Sequence, residues 1–276
     1  MSKKQQKNDG QSLMGTLQSV FATSTILISL IIAYVIFRYV MGSPYNFEGG
    51  NPAGHPLPGN YLGMMYKGGY VVPILITNVL VCIIFSIERA ITLRRARGKG
   101  RINVFVKKLQ NLLLANQINE AIAECDRQKG SLANVMKAGL ERYKELENDP
   151  NLEKDQKIIA LQQTFEEATA LELPMLSKNL VILSTIASVA VLFGLLGTVI
   201  GMIRAFGALA QAGAPDALAL ATGISEALIN TAFGIGGSTL AIIMYNFFST
   251  KIDKMTFKID ESGFSLVQTF NANVKR

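Results

Sequence analysis

The stretch Ile224-Ser-Glu226-Ala-Leu-Ile-Asn230-Thr231-Ala-Phe-Gly234-Ile-Gly236 sets one carboxylate and three small polar groups inside a run otherwise fit for lipid. A charge at the centre of a bilayer costs several kcal/mol, so Glu226 calls for a protein or water environment rather than acyl chains. That need points to an ion pathway more than to a soluble active site. On a helix turning about 100° per residue, Glu226, Asn230, Thr231, Gly234, Gly237 and Ser238 share one face, and Ile224, Leu228, Ile235 and Ile242 take the opposite one. If that helix starts near Asp216, after Pro215, Glu226 lies ~15 Å along it, in the outer half of a membrane.

Working outward, the apolar residues are clustered. The 276 residues are 49% hydrophobic and 17% charged, below the roughly 25% charge of soluble domains. Four runs, 20–40, 70–87, 180–203 and 218–248, each reach the ~20 residues a helix needs to cross hydrocarbon. Lys3, Lys4 and Lys7 precede the first run as in a signal peptide, but its apolar core is too long and no A-x-A site follows. An uncleaved anchor is the expectation.

Basic residues orient the spans. Residues 43–69 hold only Lys67, and 205–222 hold neither Lys nor Arg. Arg94, Arg95, Arg97, Lys99 and Arg101 crowd the segment after the second span, and Lys251, Lys254, Lys258, Lys275 and Arg276 mark the tail. The positive-inside bias predicts cytoplasmic termini (1–19 and 249–276), a cytoplasmic segment 88–179, and external segments 43–69 and 205–217. Topology also accounts for the net charge of +7, so no nucleic-acid partner is expected.

Segment 88–179 reads as a helical domain. Val104, Val106, Leu109, Leu112 and Leu113 form an apolar face with Lys107 and Lys108 outside it. A second helix is expected over 118–128, ending near Gly130, and a third over 131–146 before the turn Asn148-Asp-Pro-Asn151. A long helix from Leu152 is expected to run on into the third span, with Pro174 as a bend. Cys82 lies in an apolar run and Cys125 in a charged helix, so no disulfide joins them. No nucleotide loop, zinc spacing or Ser-His-Asp set is present: the reading is no enzyme, no metal and no cofactor. His55, in the Gly/Pro-rich external loop, reads as a solvated residue.

The third span mirrors the fourth. Ser184, Ala187, Val191, Gly194 and Thr198 share a face, and Gly194, Gly197 and Gly201 offer surfaces for close helix approach, as Gly234 and Gly237 do on the fourth. Thr198 and Thr231 each carry a hydroxyl able to donate and accept. Glycine at such spacing usually means tight packing, and membrane threonines usually bond their own backbone. Thr198, Glu226 and Thr231 together, on two helices joined by a short connection, favour a pathway; a structural bond for Glu226 stays open.

Gly194-Leu-Leu-Gly197-Thr198-Val-Ile-Gly201-Met-Ile-Arg204-Ala-Phe206, followed by Ile224-Ser-Glu226-Ala-Leu-Ile-Asn-Thr231-Ala-Phe-Gly234 and Tyr245-Asn246, resembles the MotA/TolQ/ExbB proton-channel family, closest to ExbB. The run Ile118 to Gly130 and Gly139-Leu-Glu-Arg-Tyr143 are similar too, so the resemblance covers about 70–260. It implies an all-α protein of the bacterial inner membrane, with 43–69 and 205–217 periplasmic; the first of the four spans, 20–42, lies outside the core resemblance as an extra helix. It implies a pentamer, with 180–204 and 218–248 lining a pore around an ExbD/TolR-like single-span partner that carries the proton-binding Asp. A TonB-like protein receives the work, and membrane lipid surrounds the whole. Thr198, Glu226 and Thr231 match the positions that the family associates with proton translocation. Val191-Leu-Phe193 and Ser238-Thr239-Leu240 depart from the family, which often has a proline at each place. A flagellar-type or gliding stator subunit and a non-conducting scaffold are the alternatives.

Overall fold

The computed structural model describes residues 20, 22–147, 149–211 and 217–273. The expected amino-terminal segment 1–19, the 212–216 part of the connection with Pro215 and Asp216, and the last residues 274–276 lie outside them. Every regular element among the described residues is helical: α1 (Ala22–Met41), α2 (Tyr61–Lys67), α3 (Val71–Ala96), α4 (Ile102–Leu114), α5 (Ile118–Gln128), α6 (Ser131–Glu147), α7 (Lys154–Ser177), α8 (Leu180–Gln211) and α9 (Ala217–Asn273). Helices α1, α3, α8 and the first half of α9 contain stretches long and apolar enough to cross a membrane. Their outward residues are apolar as well: Leu27, Ile31, Leu192, Leu196, Ile203, Ile235 and Ile243 are all exposed. The chain divides into two compact units, residues up to Phe85 with Ile182–Met244, and Ser86–Val181 with the residues from Tyr245 on.

In the first unit, α1 ends in a π-type turn in which the Gly42 N–H donates to the Phe37 carbonyl at 2.9 Å. Ala33, Phe37 and Met41 pack on Val72 and Ile76 of α3. The expected external loop 43–69 is folded. Asn46 donates to the Val40 and Met41 carbonyls, both at 2.8 Å, and accepts from Asn60 at 3.0 Å. Asn60 in turn caps α2 by accepting the Gly63 N–H at 3.0 Å. Tyr66 stacks on Phe37 with ring centroids 4.7 Å apart and meets Phe47 edge-on at 5.5 Å.

In the second unit, α4–α7 and the distal part of α9 enclose one apolar core that includes Leu109, Leu140, Tyr143, Leu161, Leu266 and Phe270. Tyr143 and Phe270 meet edge-on at 4.6 Å. Most charges stay outside, in pairs such as Lys108–Glu124 at 2.7 Å and Lys137–Asp126 at 2.6 Å; Lys157 and Arg89 are buried. Helix α7 starts with a capping box between Glu153 and Gln156. Both cysteines are buried, and Cys125 is a free thiol.

One expectation fails. The helix from residue 152 does not run unbroken into the third span; it stops at Ser177, and α8 begins at Leu180. Asn179 takes φ 61°, a left-handed conformation that Asn tolerates better than most residues and that ends helices. The freed Leu176 carbonyl accepts from Arg89 at 3.2 Å, while Glu88 holds the other side of that guanidinium at 2.6 Å and accepts from Asn179 at 3.4 Å. Arg89 is 2% exposed, a buried cation at the break whose three side-chain nitrogens each donate a hydrogen bond.

Candidate functional site

Helices α8 and α9 run in opposite directions and touch through small residues spaced three and four apart: Ala190, Gly194, Gly197, Gly201 and Ala205 against Gly237, Gly234, Asn230, Ala227 and Gly223. A Cβ on Gly234 would stand 2.7 Å from the Ala190 carbonyl oxygen and 2.8 Å from the Gly194 Cα, both backbone atoms that cannot yield. Lipid chains are as apolar as leucine and drive no helix association, so close backbone approach and hydrogen bonds must hold such a pair. The seam has such bonds. Ser238 donates to the Ala187 carbonyl.

Thr198 and Thr231 face each other at the middle of this seam, hydroxyl to hydroxyl. Thr198 also lies 3.3 Å from the carbonyl oxygens of Gly194 and Ala227, and Thr231 lies 3.3 Å from that of Gly194. Two hydroxyl protons therefore serve four acceptors: two carbonyls and two hydroxyl oxygens. One hydroxyl donates to the other, which donates to a carbonyl, and the direction of that short chain is reversible by rotating two O–H bonds. Such a pair bridges the helices and also presents a reorientable dipole where no charge stands.

Glu226 is not part of that pair. It sits five residues before Thr231, ~7.5 Å along the axis, and lines a cavity of ≈ 340 Å³ with His55, Pro56, Leu57 and Ser225. The folded loop 43–69 thus supplies one wall beside the mid-span carboxylate. His55, read from sequence as a solvated loop residue, is exposed but lines this cavity.

Asn230 is the residue that sequence reasoning underrated. It is 2% exposed and donates to the Gly68 carbonyl at 3.0 Å, so it ties the end of the loop to the α8/α9 seam. A Cβ on Gly68 would lie 2.6 Å from the Asn230 side-chain oxygen and 2.7 Å from a Val72 methyl, so a larger residue there has to displace these side chains. Its place on the small-residue face was legible; its partner, 162 residues away, was not. No group of three or more metal-ligating side chains occurs among the described residues.

Residues 127–261 match the model of the MotA/TolQ/ExbB proton channel family. The chain is 31% identical over 121 residues to the Tol-Pal system protein TolQ of Pseudomonas aeruginosa, covering 44% of this chain and 52% of that protein. It is 37% identical over 70 residues to the biopolymer transport protein ExbB of Salmonella typhimurium, covering 25% and 29%. It is 38% identical over 96 residues to the biopolymer transport protein ExbB of Helicobacter pylori, covering 35% and 66%. Among the relatives first matched, the aligned part spans about half of the other protein's length or less, 52%, 41% and 36%. The chain belongs, in its matched segment, to the MotA/TolQ/ExbB proton channel family, a family of channel subunits rather than of enzymes, and it is a multi-pass membrane protein.

Proposed function

We propose that this protein is an ExbB-like subunit of a proton-driven motor in the bacterial inner membrane, with both termini and the α4–α7 unit in the cytoplasm. Several copies, five by the family resemblance, place α8 and α9 around a central space that holds an ExbD/TolR-like partner with a proton-binding Asp. The Thr198–Thr231 pair supports this reading most. Two hydroxyls that can exchange donor and acceptor roles stabilise a passing carboxylate or its water, and let it go when it takes up a proton. Neutralising that acid removes most of the cost of moving it through an apolar wall. Each proton falling through 100 mV releases ~2.3 kcal/mol, so a few drive a conformational step that a TonB-like protein passes on. Glu226, beside the external loop, fits the outer part of the route. The 121-residue likeness to a TolQ protein supports a second reading, service to a Tol-Pal-type system. A flagellar-type stator needs a peptidoglycan-binding partner, and a scaffold needs no flux at all.

The partner that co-purifies with the full chain separates the two systems. In cells, Thr198→Val combined with Thr231→Val is expected to abolish energised outer-membrane uptake while the complex still assembles. Normal uptake by that double variant refutes the role of the pair.

A further inference from the structure

The second unit contains a groove that the proton pathway does not use. It has a volume of ≈ 1080 Å³ and is lined by Arg94, Arg97 and Arg101 from the end of α3 and the segment after it, and by Lys251, Lys254 and Lys258 from α9. Asp253 is the one acid that lines it. The lysines are spaced three and four apart and so stand on one side of the helix; the arginines follow the same spacing. Lys258 is paired with Glu261 at 2.6 Å. Arg94, Arg97, Arg101, Lys251 and Lys254 have no ion pair among the described residues. Much of the remaining lining is apolar: Leu93 and Phe248 are buried at its base, Ile102 is half-buried, and Val104 and Phe257 are exposed, Phe257 to 65%.

Topology accounts for cations at the end of a span, but it does not ask two separate segments to aim them into one apolar groove. Five cations without an ion pair around a single acid repel one another unless an anion stands between them. A free phosphate would satisfy the rims and leave the apolar lining wet. We propose that this groove binds an anionic phospholipid, whose phosphate lies among the cations and whose acyl chain covers Ile102, Val104 and Phe257. The placement fits: α3 has just left its apolar stretch at Arg94, where a headgroup layer would lie. A headgroup with two phosphates matches five cations without an ion pair better than one with a single phosphate. This site is independent of Thr198, Glu226 and Thr231.

Native mass spectrometry of the full-length protein in detergent, titrated with cardiolipin, phosphatidylcholine or inorganic phosphate, tests the proposal. Cardiolipin is expected to saturate at one molecule per chain and to be retained far better than phosphatidylcholine, with inorganic phosphate failing to displace it. Lys251→Gln with Lys254→Gln, and separately Arg97→Gln with Arg101→Gln, should each weaken retention by roughly thirtyfold, the size expected for two surface cations. Arg142→Gln with Lys144→Gln, on α6 and outside the groove lining, should leave it unchanged. The thermal unfolding midpoint of each variant reports whether it is folded. Equal retention of phosphatidylcholine, full displacement by phosphate, or unaltered retention in either folded groove variant overturns the proposal.

Discussion

Helix α9 obeys two packing rules along one unbroken length. Between Gly223 and Gly237 it meets α8 through glycine, alanine and one asparagine. Between Ile259 and Phe270 it meets its neighbours through isoleucine, leucine, valine and phenylalanine, closed over Tyr143 and Leu140. The difference follows from solvent. Where lipid surrounds a helix pair, burying a large apolar side chain gains little, so backbones come close and hydroxyls link them. Where charged outer faces meet water, removing large apolar surface from it is the main stabilising term. Only the first rule leaves room for a polar pair such as Thr198 and Thr231.

The comparison can be broken at either end. The largest expected effect is at the distal end: Phe270→Ala should destabilise the helical unit by about 3–5 kcal/mol, the usual cost of emptying an aromatic core site. Phe264→Ala, at a side chain 65% exposed, should barely move the thermal midpoint. Equal midpoints for the two would remove the distinction between core and surface there.

A smaller but sharper contrast lies within the seam. Leucine favours a helix over glycine by nearly 1 kcal/mol, so packing alone decides the outcome of adding it. Gly234→Leu meets backbone atoms of α8 and should cost about 3 kcal/mol or more. Gly236→Leu, with nothing within 4 Å, should be neutral or slightly stabilising. The fraction of monodisperse protein recovered in detergent, with its melting curve, separates them.

Next is an alkaline effect confined to the second unit. Burial, helped by Asp126 and Glu124, pushes the Cys125 thiol up to about 12 from the ordinary 9.0. The folded state therefore holds its proton more tightly than the unfolded one. The stability this adds is whole below pH 9 and is lost as pH rises toward 12. Unfolding midpoints from pH 8 upward should fall, and Cys125→Ala should flatten that fall. Smallest of all is Lys137→Ala: the Asp126 bond raises the Lys137 pKa, yet the pair is at the surface, and the midpoint at physiological salt should stay within error.

Much of this was legible because the signals were local. Gly130 after a periodic run ended α5 where expected, and the four apolar runs announced themselves by length. The small-residue face of α9 showed which residues meet α8. The break at Lys178-Asn179 was missed because Pro174 drew attention as the helix breaker, whereas a left-handed Asn and the distant Arg89 make the stop. The folded loop 43–69 was read only as Gly/Pro-rich chain, since its order depends on Asn46, Asn60 and Tyr66 bonding to one another and to α1. Thr198 and Thr231 were each visible; that their hydroxyls touch depends on helix register, which no single-helix pattern contains.

The most direct test is proton flux into vesicles that hold the full chain with its co-purifying partner, under an imposed potential. The account predicts that Thr198→Val with Thr231→Val reduces flux to that of empty vesicles while the subunit composition stays the same. Wild-type flux through that intact double variant would contradict it.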